Sequence, residues 1–116
     1  MSWKYFSRIV NQQDTVEIAA SQKESAVIET IGLTLVGINF PAAFDGSSLF
    51  FKSADTSGGT YSYITDLNGQ LVGAHAVGPN TRVRLGDILE DEEYLKIVSS
   101  ATETALRTLT LIFKRN

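Results

Sequence analysis

Turn-forming residues punctuate this chain roughly every ten positions, and no window between them keeps apolar side chains at helical spacing. The punctuation comprises Ser21-Gln22-Lys23-Glu24, Gly32, Pro41 with Asp45-Gly46, the run 55–59, Asn68-Gly69, Gly78-Pro79-Asn80 and the stretch 86–93. The segments it leaves are short and dense in β-branched residues. They read as strands at 15–19, 25–30, 33–40, 49–54, 61–65, 70–77, 81–85, 94–98 and 107–113. This predicts an all-β fold, a single β-sandwich or jelly-roll-like domain of about eight short antiparallel strands with very little helix.

Alternation assigns the core. Successive side chains on a strand point to opposite faces, so Val16 and Ile18, Leu49 and Phe51, Val83 and Leu85, Leu95 and Ile97, and Leu109, Leu111 and Phe113 each form an inward set. Asn68-Gly69 tolerates the positive φ of a tight loop, which predicts a hairpin of 61–65 with 70–77. The segment 33–40 does not alternate cleanly, because Leu33 and Leu35 fall on one face while Val36, Ile38 and Phe40 fall on the other. A sandwich strand meets the core on one face only, so the second face is expected to be covered by another subunit, the N-terminal segment or a loop. Outward-facing Phe50 supports a further contact patch.

The 116 residues suffice for one core and no second, which divides the chain into an N-terminal arm, 1–14, and a sandwich domain, 15–116. With no Cys there are no disulfides, thiol nucleophiles or thiolate metal sites. A net charge of −3 is opposite in sign to that of a nucleic-acid binder. The densest apolar stretch, 31–44, is interrupted by Gly32, Thr34, Gly37, Asn39 and Pro41 and falls short of the ~20 residues that span a bilayer. The N-terminus lacks the apolar run and cleavage site of a signal peptide. No nucleic-acid or membrane partner is therefore expected.

Catalytic chemistry finds little support. His75, the single His, has no Gly-x-Ser-x-Gly elbow to accompany it and reads as an ordinary strand residue. Asp66-Leu67-Asn68-Gly69 begins like a calcium loop, but Gln70 and Val77 stand where ligands are required. Five carboxylates, Asp87, Glu90, Asp91, Glu92 and Glu93, crowd the stretch 87–93, and nothing marks one of them as desolvated, so the group reads as a solvated face or one opposite a basic partner. Gly58-Gly59 lies between strands and does not form a phosphate cradle. No cofactor is expected, and the chain reads as a non-enzyme. The most unusual feature is the alternation of Trp3, Tyr5 and Phe6 with Lys4 and Arg8, a composition enriched where proteins dock on one another. Tyr61 and Tyr63, at i and i+2, share a face and with Trp3 offer stacking platforms for a carbohydrate, the alternative from another class.

Three stretches carry a resemblance: 38–55, from Ile38-Asn39-Phe40-Pro41 through Asp45-Gly46 to Lys52-Ser53-Ala54-Asp55; 94–100, Tyr94-Leu95-Lys96-Ile97-Val98-Ser99-Ser100; and 107–111, Arg107-Thr108-Leu109-Thr110-Leu111. In that order they resemble a family of small tailed-bacteriophage virion proteins, over about residues 33–114. The resemblance implies a β-sandwich capsid decoration (cement) protein on the outer surface of the virion, contacting the major capsid protein and copies of itself, commonly as a homotrimer. A minor neck, tail or fibre-base component is the alternative within the same class. It carries no catalytic residue across. The acidic turn ahead of Tyr94 departs from the family's usual short turn. On this reading Trp3, Lys4, Tyr5, Phe6, Arg8, Val36, Ile38, Phe40 and Phe50 form the capsid or subunit interface.

Overall fold

The computed structural model describes residues 11–74 and 76–115. They form nine strands and no helix: β1 (Asn11–Ile18), β2 (Ile28–Glu29), β3 (Leu33–Asn39), β4 (Leu49–Ala54), β5 (Ser62–Tyr63), β6 (Gly73–Ala74), β7 (Arg82–Arg84), β8 (Tyr94–Ser99) and β9 (Arg107–Arg115). Two antiparallel sheets result. One has the order β1-β9-β3-β7; the other has β2-β8-β4-β5, with β6 also paired to β4. The chain crosses between sheets at nearly every connection, which ties both layers to one core.

The inward sets are as alternation predicts, except that Val83 is only half-buried against the core. Ile18, Leu49, Phe51, Leu95, Ile97 and Leu109 have no exposed surface, and Val16, Leu85, Leu111 and Phe113 are nearly as deep. Each fully buried side chain of this size contributes about 1.5–3 kcal/mol relative to an exposed one. β1 begins at Asn11, opposite Lys114 of β9, so the strand takes in residues 11–14, which the sequence reading assigns to the arm. The segment 25–30 is strand only at Ile28–Glu29, flanked by single bridges from Glu24 to Val98 and Ser25 to Ile18.

The two-faced reading of 33–40 is corrected by a β-bulge. β3 pairs with β9 in one register up to Leu35↔Phe113 and resumes at Gly37↔Ile112, with Val36 as the extra residue. An inserted residue inverts the side-chain phase beyond it. Leu35 before the bulge and Ile38 and Phe40 after it therefore enter the same core, at 0%, 0% and 5% exposure. Ile38 and Phe40 are thus not available to a partner; Val36 alone of that set stays half-buried at the surface.

The 61–77 hairpin forms around its tip, where Thr65 bridges Leu71 and Asp66 N donates to Gln70 O at 2.8 Å, but its outer ends pair with β4 and not with each other. Ser62–Tyr63 and Gly73–Ala74 both pair with β4, at Lys52↔Tyr63 and Leu49↔Ala74, as two pieces of one edge strand. Between them the chain makes an excursion closed by the Ile64 carbonyl accepting from Val72 N at 2.9 Å and by a Thr65↔Leu71 bridge. The turn itself is as read: Gly69 has φ +77°, and Asp66 Oδ1 accepts from the amides of Asn68 and Gln70 at 2.8 and 3.0 Å.

Candidate interaction surfaces

The densest polar cluster joins three loops at one end of the sandwich. Glu103 has no exposed surface. Its Oε1 accepts from Asp45 N (2.9 Å) and Arg107 Nε (3.2 Å); its Oε2 accepts from Gly46 N (3.2 Å) and Ser99 Oγ (3.0 Å). Beside it, Asp45 Oδ2 accepts from Thr104 N (2.7 Å), Thr104 Oγ1 (3.0 Å) and Arg107 Nη2 (3.1 Å). The Thr104 backbone amide, with Arg107 next, holds the Asp45 carboxyl below its ordinary range, and Asp45 in turn raises Arg107. Main-chain bonds from Ser21 N to Glu103 O and from Glu103 N to Gln22 O bring in the 21–24 turn. Every donor around the carboxylate is spoken for, so the cluster behaves as a lock between loops. Phe44 reinforces it from the core side, its ring tilted against Phe40 with centroids 4.7 Å apart. Glu103 sits in the polar loop 99–106, and its one sequence signal is the i, i+4 spacing to Arg107.

The outer face of the β4–β8 sheet is the second feature. Register sets Phe50 opposite Val98, Lys52 opposite Lys96, and Ala54 opposite Tyr94, with Tyr63 opposite Lys52 on the far side. Lys52 Nζ lies 2.6 Å from Glu24 Oε2, and Lys96 Nζ 3.8 Å from Glu24 Oε1. The bond from Lys52 lowers the Glu24 carboxyl and Glu24 raises Lys52. The same ammonium groups cover tyrosine faces, Lys52 over Tyr63 at 4.8 Å and Lys96 over Tyr61 at 4.7 Å. Burial, followed by the neighbouring Tyr94, pushes the Tyr61 hydroxyl up. Phe50 is half-buried in this layer and closes over Gly73, so the outward aromatic of the sequence reading is partly covered by its own sheet.

On the opposite sheet, Val36, Gly37 and Ile112 line a shallow groove with Arg82, Arg84 and Gly86. Arg82 Nε donates to Asn39 Oδ1 at 2.6 Å. The acidic stretch 87–93 follows directly; it is pinned by Leu89, which is 1% exposed, and by Thr30, whose hydroxyl and amide donate to the carbonyls of Glu92 and Glu93. Asp87, Glu90, Asp91 and Glu93 lie at the surface, and Glu92 is half-buried.

Trp3, Lys4, Tyr5, Phe6, Arg8 and His75 lie outside the described residues. Among the described residues no group of three His, Cys, Asp or Glu gathers at distances that would hold a metal ion. No helix among them is long and apolar enough to cross a membrane. Neither protein-family models nor curated proteins match the chain.

Proposed function

We propose that this chain is a structural virion protein, a capsid decoration (cement) protein that binds the outer surface of a tailed-phage head and stabilises it through contact area. What supports the reading is where the resembling stretches meet in space. Asp45 of the first, Ser99 of the second and Arg107 of the third converge on Glu103, so stretches far apart in sequence form one bonded unit at one end of the sandwich. A cement protein has to hold its shape under load from the shell. Two sheets sharing one core, with connecting loops clamped by buried charge-assisted hydrogen bonds, meet that need. The broad sheet face bearing Tyr61, Tyr63 and Tyr94 has the tyrosine content enriched in protein interfaces. Partners on this reading are the major capsid protein and other copies of the chain.

Purified shells lacking the protein test the proposal. Full-length chain is expected to saturate them at a copy number matching the capsid lattice, and chain without residues 1–10 to bind more weakly. Undiminished binding would contradict docking through that segment. Saturation at the few copies of a single vertex would move the protein to the neck or tail. A carbohydrate-binding module would need the Tyr61 and Tyr63 rings, but Lys96 and Lys52 already cover one face of each. Glycan binding without shell binding would favour that alternative.

A further inference from the structure

The outer face of the four-stranded sheet carries a groove whose charge is at odds with an acidic chain. Half-buried Val36 and Ile112, with Gly37, form its floor, and Arg82, Arg84 and Gly86 its wall, around a volume of about 310 Å³. Arg82 and Arg84 stand two apart on β7, so both side chains rise from the same face of the sheet. Among the described residues neither guanidinium has an ion-pair partner. Gly86 leads from this wall into the acidic stretch 87–93. There Asp87, Glu90 and Asp91 are exposed and, among the described residues, equally without an ion pair. Ile88 lies between them, 49% exposed. Arg84 and Asp87 are three residues apart and opposite in charge, yet they do not neutralise one another within the chain. The surface thus presents two adjoining halves, an apolar floor walled by cations and an apolar knob ringed by anions.

We infer that two copies of the chain join about a two-fold axis, the 86–91 turn of each seated in the β3–β7 groove of the other. Ile88 then lies against Val36 and Ile112, and Asp87 and Glu90 pair with Arg82 and Arg84. Charge selects the occupant. A guanidinium offers its N–H donors in a fork that matches a carboxylate, so this wall favours an acidic segment. Residues 1–10 contain Lys4 and Arg8 and no carboxylate, so they lack the complementary charge. The turn has that charge and, in Ile88, a side chain that fits: a cavity of ~150 Å³ already takes up a benzene-sized group. It cannot fold back into its own groove, because Leu89, 1% exposed, and the Glu92 and Glu93 carbonyls, bonded by Thr30, hold it against the body. The two-fold arrangement follows from adjacency. Groove and turn share Gly86, so one rotation makes both contacts and leaves neither half open. The inference rests on the self-contact part of the proposed function and is tested on purified chain without shells, so pairing and shell binding can fail separately.

Sedimentation velocity over a concentration series measures the pairing. The parent chain is expected to form a dimer that added salt weakens. R82E/R84E and D87K/E90K each set like charges against one another at both contacts, and each alone is expected to associate about tenfold more weakly or worse. Mixed in equal amounts, they restore opposite charges at both contacts, and a mixed dimer of parental strength is expected. Ile88→Ser keeps every charge and is expected to weaken the dimer too. All five positions are exposed, and circular dichroism checks that each variant is folded. A parent chain that stays monomeric at high micromolar concentration, as it would if the groove served an acidic segment of another protein, would overturn the inference. So would a mixture that associates no better than its components.

Discussion

Arg107 Nε donates to Glu103 Oε1 across 3.2 Å, and the carboxylate it meets has no exposed surface. Truncating Glu103 would strand the amides of Asp45 and Gly46, the Ser99 hydroxyl and Arg107 Nε at once, though Arg107 Nη2 keeps Asp45. Glu103→Ala is expected to cost about 3 kcal/mol or more, and Glu103→Gln less, because the amide preserves shape and one acceptor. Urea unfolding followed by circular dichroism measures both; a midpoint unmoved in the alanine variant would show that the loops are held by something else.

Stability should depend on pH in two separate limbs. The folded-state values of Asp45 and Glu24 lie below their ordinary 3.8 and 4.5, so their contributions are complete above those values and fade as pH falls through the lower folded ones. Lys52 is raised from 10.5, so its contribution is whole below that value and fades above it. Asp45→Asn is expected to flatten the acid limb and leave the alkaline one in place. Equal acid slopes in parent and variant would remove Asp45 from the account.

The bulge at Val36 makes neighbouring residues behave oppositely. Ile38→Ala should cost about 2–5 kcal/mol, as for other buried aliphatic truncations, and Val36→Ala well under that. If instead Val36→Ala proved the costlier, the phase of β3 would be that of an unbulged strand, and Ile38 would face outward.

Much of this architecture was legible because its causes are local. Leu95 with Ile97, and Leu109 with Leu111 and Phe113, keep an unbroken two-residue period, and Asn68-Gly69 declares its turn by backbone preference alone. The bulge was not legible, since one extra residue changes the phase without any turn chemistry; Gly37 is its faint local mark. The 61–77 hairpin was legible at its tip, where Thr65 bridges Leu71, but that its outer ends would leave each other for β4 is set by a partner distant in sequence. Glu103 was hidden for the same reason: its bonds to Asp45 and Gly46 span 58 and 57 residues, and a carboxylate in a polar loop looks solvated until those loops meet.

Gly46 is required by crowding. A Cβ there would lie 2.2 Å from Ser99 Oγ and 2.9 Å from the Phe44 ring. Ser99 cannot turn aside without releasing Glu103, so Gly46→Ala should destabilise by about 1–3 kcal/mol. The same thermal or urea titration decides it, and Gly46→Ala combined with Ser99→Ala should recover part of the loss if the hydroxyl is the obstacle.

The Lys52–Glu24 pair should matter far less. Glu24 is 39% exposed and water competes for its charge, so Glu24→Gln is expected to shift stability by under ~1 kcal/mol. A larger effect would mean that the Lys52 and Lys96 ammonium groups depend on Glu24 to stay over Tyr63 and Tyr61, which a double-mutant cycle with Tyr63→Leu would reveal.

The excursion between β5 and β6 has a practical side. Both of its stems are held by β4 and Ile64 and Val72 pack against the core, but Leu67 at its tip is fully in solvent, so the tip alone stands clear of the body. A foreign peptide spliced between Asn68 and Gly69 would stand off the edge of the sheet and leave the core unperturbed. That position is accordingly the natural site for a fluorophore or an affinity handle.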